Sequence, residues 1–290
     1  MTNKNDILLI KNPVSRSRKG KKNWKYFSDF DGIITKSREN AIDIVSSTNK
    51  KVIAAVGGDG TINQCVNGIM NTGGEKILSV LYSGTSPDFC KFHNIPINPN
   101  EAVKILKEGN IKEVDVCSLT TKDNKNYWFS SGSNIGLGVK VAGTSNKIRW
   151  LFGDFLGTLI ALIYAISSSK PFNAKVKINN EEKELNNIWH LFVIKNNHIA
   201  SGLKLNVNNT DDNGIIYVVS IKNDNIKNLI KNIVALYKGN INKENIVGFG
   251  NEVYIETNPN QYIEFDGDAY YSITTPITIK CHRKALKLIK

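Results

Sequence analysis

The stretch VIAAVGGDGTINQCVNGIM, Val52 to Met70, joins an apolar run to a segment in which Ile62, Cys65, Val66 and Ile69 recur at helical spacing. The first part reads as a buried strand and the second as a helix, so Gly57, Gly58, Asp59, Gly60 and Thr61 fall at a strand-to-helix turn. Glycines there let backbone N–H groups approach an anion closely, and the helix start adds unpaired N–H groups and the positive end of its dipole. Asp59 is out of place beside bare phosphate. A Mg²⁺ ion bridging carboxylate and phosphate oxygens gives it a role. The turn is not a dinucleotide fingerprint, because the third glycine of GxGxxG is missing, and no GK[ST] closes it as a P-loop would require.

Working outward, ILLI (7–10), GIIT (32–35), KVIAAV (51–56) and ILSVLY (77–82) read as strands, and ENAIDIVSS, TINQCVNGIM and NEAVKILKEG as helices. That alternation predicts an α/β layer architecture, which EVDVCSL (113–119) closes. Beyond residue 120 the texture changes to successive strands: NYWFSSGS, AKVKINN, EEKELN, IWHLFVIKN, GIIYVVSIK, NEVYIET, QYIEFDG and TPITIKC. Such a succession predicts a mainly antiparallel β-sandwich, interrupted by helices around 147–168 and 224–237. The expected domains are 1–119 and 120–275, with 276–290 returning to the first.

Lys and Arg outnumber Asp and Glu by 38 to 26 in 290 residues, a formal charge of +12 that favours anionic partners. The aromatic residues are not interleaved with the basic clusters as base stacking requires, which argues against nucleic acid. Cys65, Cys90, Cys117 and Cys281 form no CxxC pair, so neither a zinc ribbon nor a disulfide framework is indicated, and a reducing cytoplasm fits. His93, His190, His198 and His282 show no ligand spacing. The N-terminus does not read as a secretory signal. The apolar run from Trp150 to Ile166, broken by Gly153, Asp154 and Gly157, reads as a buried or lipid-facing helix rather than a membrane span.

Two further loops share the chemistry of the glycine turn. KNPVSRSRKGKK follows ILLI and offers Asn12 and Ser15 as hydrogen-bonding groups, with Arg16, Arg18 and Lys19 as phosphate-pairing cations. GTSPDF (84–89) follows ILSVLY and supplies Gly84, Thr85 and Asp88. Three polar loops thus follow three strands of one sheet, where ligands of α/β sheets gather.

Taken in order, ILLIKNPVSRSRKGK, VGGDGTINQCVNGI, GTSPDF and the late EFDGD resemble the diacylglycerol kinase catalytic family, which includes sphingosine and ceramide kinases. The resemblance implies a three-layer, nucleotide-binding α/β domain of the NAD kinase and diacylglycerol kinase kind, followed by a β-sandwich domain that holds lipid. It also implies ATP and Mg²⁺, with transfer of the γ-phosphoryl group to the hydroxyl of diacylglycerol or a related lipid alcohol. Carried over by position, Asn12, Ser15 and Arg16 belong to the nucleotide loop. Gly57, Gly58, Gly60 and Thr61 cradle phosphate, joined by Gly84 and Thr85. Asp59, Asp88 and Asp115 organise the magnesium network, Asp266 is the general base, and Asp268, counted with the metal acids, stands where the family usually has Glu. NTDDNGIIYVV resembles the family's structural magnesium loop, but Asn213 replaces the acid expected before the glycine, leaving Asp211 or Asp212 to substitute.

Other departures are Ser86 and Pro87 in a loop the family writes GTGND, and Gln64 in place of Glu. Without the family, Asp266-Gly267-Asp268 reads as a hairpin turn. The expected partners are ATP, a lipid alcohol and the anionic inner membrane surface, bound peripherally from the cytoplasm, and a homodimer is compatible with the reading. Two alternatives stay open: an NAD or other soluble-metabolite kinase sharing GGDGT, and a catalytically weak binding protein of the same fold. The basic charge and the apolar helix favour a lipid, and the four acids Asp59, Asp88, Asp115 and Asp266 favour a working enzyme.

Overall fold

The computed structural model describes residues 2–15, 19–199, 203–204, 206–222, 228 and 243–290. Its first half alternates as the apolar runs require: β1 (Ile7–Lys11), β2 (Gly32–Ile34), α1 (Arg38–Ser47), β3 (Val52–Gly57), α2 (Asp59–Met70), β4 (Ile77–Tyr82), α3 (Asp88–His93) and α4 (Pro99–Glu108). The four strands are parallel and ordered β4-β3-β1-β2. Every residue of β3 is buried, as expected of a parallel strand covered on both faces. Side chains alternate between those faces. Leu8, Ile10, Ile53 and Ala55 pack with Ile62, Val66 and Ile69 of α2. Ile7, Leu9, Val52 and Ala54 pack on the other side with Phe27, Ala102 and Leu106.

The second half contains β5 (Ile111–Thr121), β6 (Asn126–Phe129), β7 (Gly132–Gly136), α5 (Leu137–Ser168), β8 (Phe172–Ile178), β9 (Glu181–Ile194), the short β10 (His198–Ile199) and β11 (Leu203–Lys204), and β12 (Ile216–Lys222). It ends with β13 (Ile246–Gly250), β14 (Glu252–Asn258), β15 (Tyr262–Phe265), β16 (Asp268–Thr274) and β17 (Ile277–Ile289). Here the pairings are antiparallel and enclose a second core that includes Phe129, Ile135, Val176, Val193, Ile255 and Phe265. The two halves share one hydrogen-bonded sheet through β17. It pairs with β14 at Ile277–Lys280, with β5 along most of its length, and in parallel with β4 at Lys287 and Leu288.

Several elements differ from the sequence expectation. EEKELN and IWHLFVIKN form the single strand β9, and β16 lies where no strand was expected. β17 runs past Cys281 because Lys284, at φ 54°, sits in an irregularity that breaks the alternation and then lets pairing resume at Leu286. Helix α5 starts at Leu137, earlier than the expected 147, since Gly136 at φ 92° turns the chain directly out of β7. Ala161 and Ala165 of α5 are buried, whereas Ile160, Ile163 and Tyr164 are exposed. Among the described residues no helix is long and apolar enough to cross a membrane. The helix expected at 224–237 lies outside the described residues apart from Asn228.

Gly68 sets how closely α1 and α2 pack, because a Cβ there would lie 2.6 Å from Val45 Cβ and 3.0 Å from the Ile42 carbonyl oxygen. Replacing it with Leu overpacks this contact and should cost about 1–3 kcal/mol, read as a lower midpoint in urea unfolding. An unchanged midpoint would show that the helices separate freely.

Candidate active site

The loops after β1, β3 and β4 are bonded to one another at the carboxyl ends of adjacent strands. Asn12 N–H donates to the Val56 carbonyl (3.1 Å) and Ser83 N–H to the Gly57 carbonyl (2.8 Å). Asn12 Nδ2 donates to Thr61 Oγ1 (3.0 Å) and Ser15 Oγ to the Ser83 carbonyl (3.0 Å). Close approach explains the glycines. A Cβ on Gly57 would meet Thr61 Oγ1 at 2.1 Å, and one on Gly84 would meet Gly58 Cα at 2.4 Å. Gly58 caps α2, so Asp59, Gly60 and Thr61 form its first turn; the Thr61 N–H donates to the Gly58 carbonyl (2.9 Å), and the N–H groups of Asp59 and Gly60 come too early in the helix for helical partners. Thr85 is exposed, and Arg16 lies outside the described residues.

Asp59 is half-buried as a residue, yet its Oδ1 is sealed from solvent without a hydrogen-bond partner, as are Tyr82 Oη and Ser83 Oγ nearby. Burial pushes the Asp59 carboxyl well above the usual range, and the charges of Asp88 and then Asp266 push it the same way, against the backbone amides of Phe89 and Asp88. Asp88 opens α3 and is buried. Buried polar atoms without partners are rare, and three beside a glycine cradle point to a missing ligand. The donor set suits a divalent cation: an ionisable oxygen is sealed and unpaired, with a second acid beside it. Among the described residues no group of three His, Cys, Asp or Glu can hold a metal alone, so phosphate oxygens would complete the shell, as is usual for Mg²⁺.

Asp266 and Gly267, at φ 49° and 89°, form the two-residue turn between β15 and β16, the backbone that an Asp-Gly hairpin favours. The turn swings the Asp266 carboxylate into the interior, where it accepts a shell of donors. Oδ2 takes Asn63 Nδ2 (2.9 Å), Ser130 N–H (2.9 Å) and Ser130 Oγ (3.1 Å). Oδ1 takes the N–H groups of Ser131 (2.8 Å) and Gly132 (3.3 Å). Burial raises the Asp266 carboxyl and these donors pull it back. A second chain of bonds steadies the turn from behind. Gly138 N–H donates to His190 Nδ1, His190 Nε2–H to Asn134 Oδ1, Asn134 Nδ2 to Glu264 Oε2, and Gly267 N–H to Glu264 Oε1 (2.5 Å). The Asp268 side chain lies outside the described residues.

The expected magnesium network divides in two. Asp59 and Asp88 lie together, whereas the Asp115 carboxylate is already committed to Lys195 Nζ (2.6 Å), Gly214 N–H (2.6 Å) and Lys284 N–H (2.9 Å). Those partners belong to β17 and to the stretch after β9, not to α2 or α3. Asp211 is held well below the carboxylate range by His93 and Lys290, and Asp212 pairs with Lys284 at 3.6 Å. Both acids left to substitute at Asn213 are thus paired with lysines. Sequence reasoning also missed Asn63, which ties Asp266 to Arg38 Nη2 (2.6 Å), and Asn67, which holds the Trp128 backbone on both sides. They stand four apart, on one face of α2, a spacing that the chain's many other asparagines made easy to pass over.

Burial holds His190 down to about 3 and also lowers His93. A histidine with a depressed native pKa binds protons more readily when unfolded, so its stabilising effect is complete above about pH 6.5 and lost as pH falls toward 3. His190 contributes up to about 1.4 kcal/mol per pH unit in that window. Urea unfolding from pH 7 to pH 4 should therefore show a shallower acid loss in His190→Gln than in the wild type. Parallel slopes would remove the His190 chain from the account.

Residues 6–119 match the diacylglycerol kinase catalytic domain, and residues 133–290 match the YegS C-terminal NAD kinase beta sandwich-like domain. A Staphylococcus carnosus protein named "Putative lipid kinase" is 26% identical over 270 residues, covering 90% of this chain and 84% of its own length. A diacylglycerol kinase of Staphylococcus saprophyticus is 29% identical over 107 residues, 37% of this chain and 34% of that one. In fold, the chain resembles a diacylglycerol kinase crystal structure from Bacillus anthracis with a TM-score of 0.74 at 21% identity, over 98% of this chain and 96% of the other. With a catalytic domain followed by a β-sandwich-like domain, and with its three loops gathered at the strand ends, the chain belongs to the diacylglycerol kinase catalytic family.

Proposed function

We propose that this chain is an ATP-dependent lipid kinase that transfers the γ-phosphoryl group to the hydroxyl of diacylglycerol or a related lipid alcohol. The observation that carries the reading is the unpartnered, buried Asp59 Oδ1 beside Asp88 and Asp266, at the carboxyl ends of the parallel strands. Mg²⁺ held by Asp59 and Asp88 with phosphate oxygens would neutralise charge on the transferring group. Gly57, Gly58 and Gly60 would let the phosphates approach the backbone at the start of α2, with the Thr61 hydroxyl beside them, and Asn12, Ser15, Gly84 and Thr85 would shape the adjoining loops. Asp266 takes the proton from the lipid hydroxyl as that oxygen bonds to the γ-phosphorus and the bond from phosphorus to the bridging oxygen of ADP breaks. Of its five donors the Ser130 hydroxyl is the one that can rotate away, and an acceptor alcohol would enter in its place.

The lipid reading draws on the names of the relatives and on the apolar residues that α5 exposes, Ile160, Ile163 and Tyr164. The basic surface suits peripheral attachment to anionic bilayers, at about 1 kcal/mol for each lysine or arginine close to the surface.

Radiolabelled γ-phosphoryl transfer should be measured against a panel of lipid alcohols in neutral and anionic vesicles, with NAD alongside. A lipid product formed faster on anionic vesicles, with a rate that falls as salt rises, supports the proposal. Transfer to NAD in preference to every lipid contradicts it. On the best lipid, Asp266→Asn should lower turnover by about 10²- to 10⁴-fold while leaving nucleotide affinity nearly unchanged. Wild-type turnover in that variant would place the base elsewhere.

A further inference from the structure

The loop of residues 210–215, which by family resemblance should enclose a structural magnesium ion, encloses a lysine. Lys195 follows β9 and reaches its ammonium into a shell of four oxygens. These are Asp115 Oδ2 at 2.6 Å, the Thr210 carbonyl at 2.9 Å, Asn213 Oδ1 at 2.9 Å and the Ile215 carbonyl at 3.4 Å. The Lys195 and Asp115 side chains are 1% and 0% exposed. The distances are those of N–H···O bonds and exceed the roughly 2.0–2.1 Å that Mg²⁺ demands.

Charge balance leads to the same conclusion. Asp115 is paired with Lys195, Asp211 with Lys290, and Asp212 with Lys284. Each acid of the region already has its own cation, so no excess negative charge is left to attract a divalent ion. Asn213 then makes sense. A monovalent ammonium facing one carboxylate is neutral, and an acid at 213 would add a second carboxylate to a shell that holds one ammonium. Its amide serves the shell instead: Oδ1 accepts from Lys195 and from Ile215 N–H (3.1 Å), and Nδ2 donates to the Asn208 carbonyl (3.4 Å).

We infer that Lys195 is the resident cation of the 210–215 loop and that this chain holds the loop without a divalent metal. The inference concerns the loop alone and stands apart from the proposed reaction. It also has a structural consequence near the site. Lys195 N–H and Asn196 N–H both donate to the Ser131 carbonyl (2.9 and 2.7 Å), while Ser131 N–H donates to Asp266. The Asn196 amide reaches the Asp88 carbonyl at 3.1 Å. Lys195 is thus linked through Ser131 to Asp266, and its neighbour Asn196 to the Asp88 backbone.

The test is thermal unfolding of the nucleotide-free protein in EDTA and in millimolar MgCl₂, with the same pair of scans on Asp59→Asn to separate any effect of the α2 cluster. Two loop variants are compared with it, Lys195→Met and the pair Lys195→Ser with Asn213→Asp. The Asp59→Asn protein should keep the same midpoint in EDTA as in MgCl₂, so that any shift seen in the wild type is traced to the α2 cluster. Lys195→Met should lose roughly 10 °C, as expected when one partner of a buried ion pair is removed, and should not be rescued by Mg²⁺. The double variant, which exchanges the ammonium for a second acid, should gain a midpoint that rises with Mg²⁺. Should Lys195→Met fail to fold, the chelation scans and the double variant still decide. A midpoint that falls in EDTA in both the wild type and Asp59→Asn would overturn the inference, as would a double variant indifferent to Mg²⁺.

Discussion

The Asp266 carboxylate and its donor shell are the interaction on which the active-site arrangement depends. Burying an ionised carboxylate in a low-dielectric interior is costly unless its lone pairs are met. Here they are met by groups from separate parts of the chain: Asn63 of α2 and the backbone between β6 and β7. The same turn is locked from the sheet side, because Asp266 N–H donates to the Gly132 carbonyl and Phe265 pairs with Ser133. One acid thereby fixes the parallel half of the molecule against the antiparallel half, at the point where the glycine loops meet.

The chain deals with buried acids in two ways, and the difference separates scaffold from site. Asp115 has a full set of partners, including the Lys195 ammonium, and its neighbourhood is electrically complete. Asp59 has no ion pair among the described residues and an orphaned oxygen, and two neighbouring carboxylates make its ionisation still harder. Such an arrangement costs stability in the empty protein. It persists where a ligand supplies the missing charge, which is why perturbed carboxylates gather at functional sites.

Much of this was legible in the sequence, for physical reasons. Parallel strands buried on both faces appear as unbroken apolar runs, so β1, β3 and β4 could be read directly, and with them the loops at their ends. Asp266 in a hairpin and Asp266 as a candidate functional acid looked like competing readings. They coexist because the turn itself directs the carboxylate inward. What could not be read depended on distant partners. Asp115 gave no sign that its cation lay 80 residues further on, and Lys195 at a strand end looked like any solvent-facing lysine. Asn63 and Asn67 were hidden by the chain's general richness in asparagine. The irregularity at Lys284 breaks the two-residue period, which concealed that the segment returning to the first domain continues β17 as a strand.

The central claim is that the Asp59 cluster is incomplete without a cation and a nucleotide phosphate. Calorimetric titration of a non-hydrolysable ATP analogue, with and without Mg²⁺, tests it most directly when wild type is compared with Asp59→Asn. The account predicts that Mg²⁺ strengthens binding to the wild type and that Asp59→Asn loses most of this Mg²⁺ dependence while still binding the metal-free analogue. Equal Mg²⁺ dependence in the two proteins would contradict it and return the glycine turn to a purely structural role.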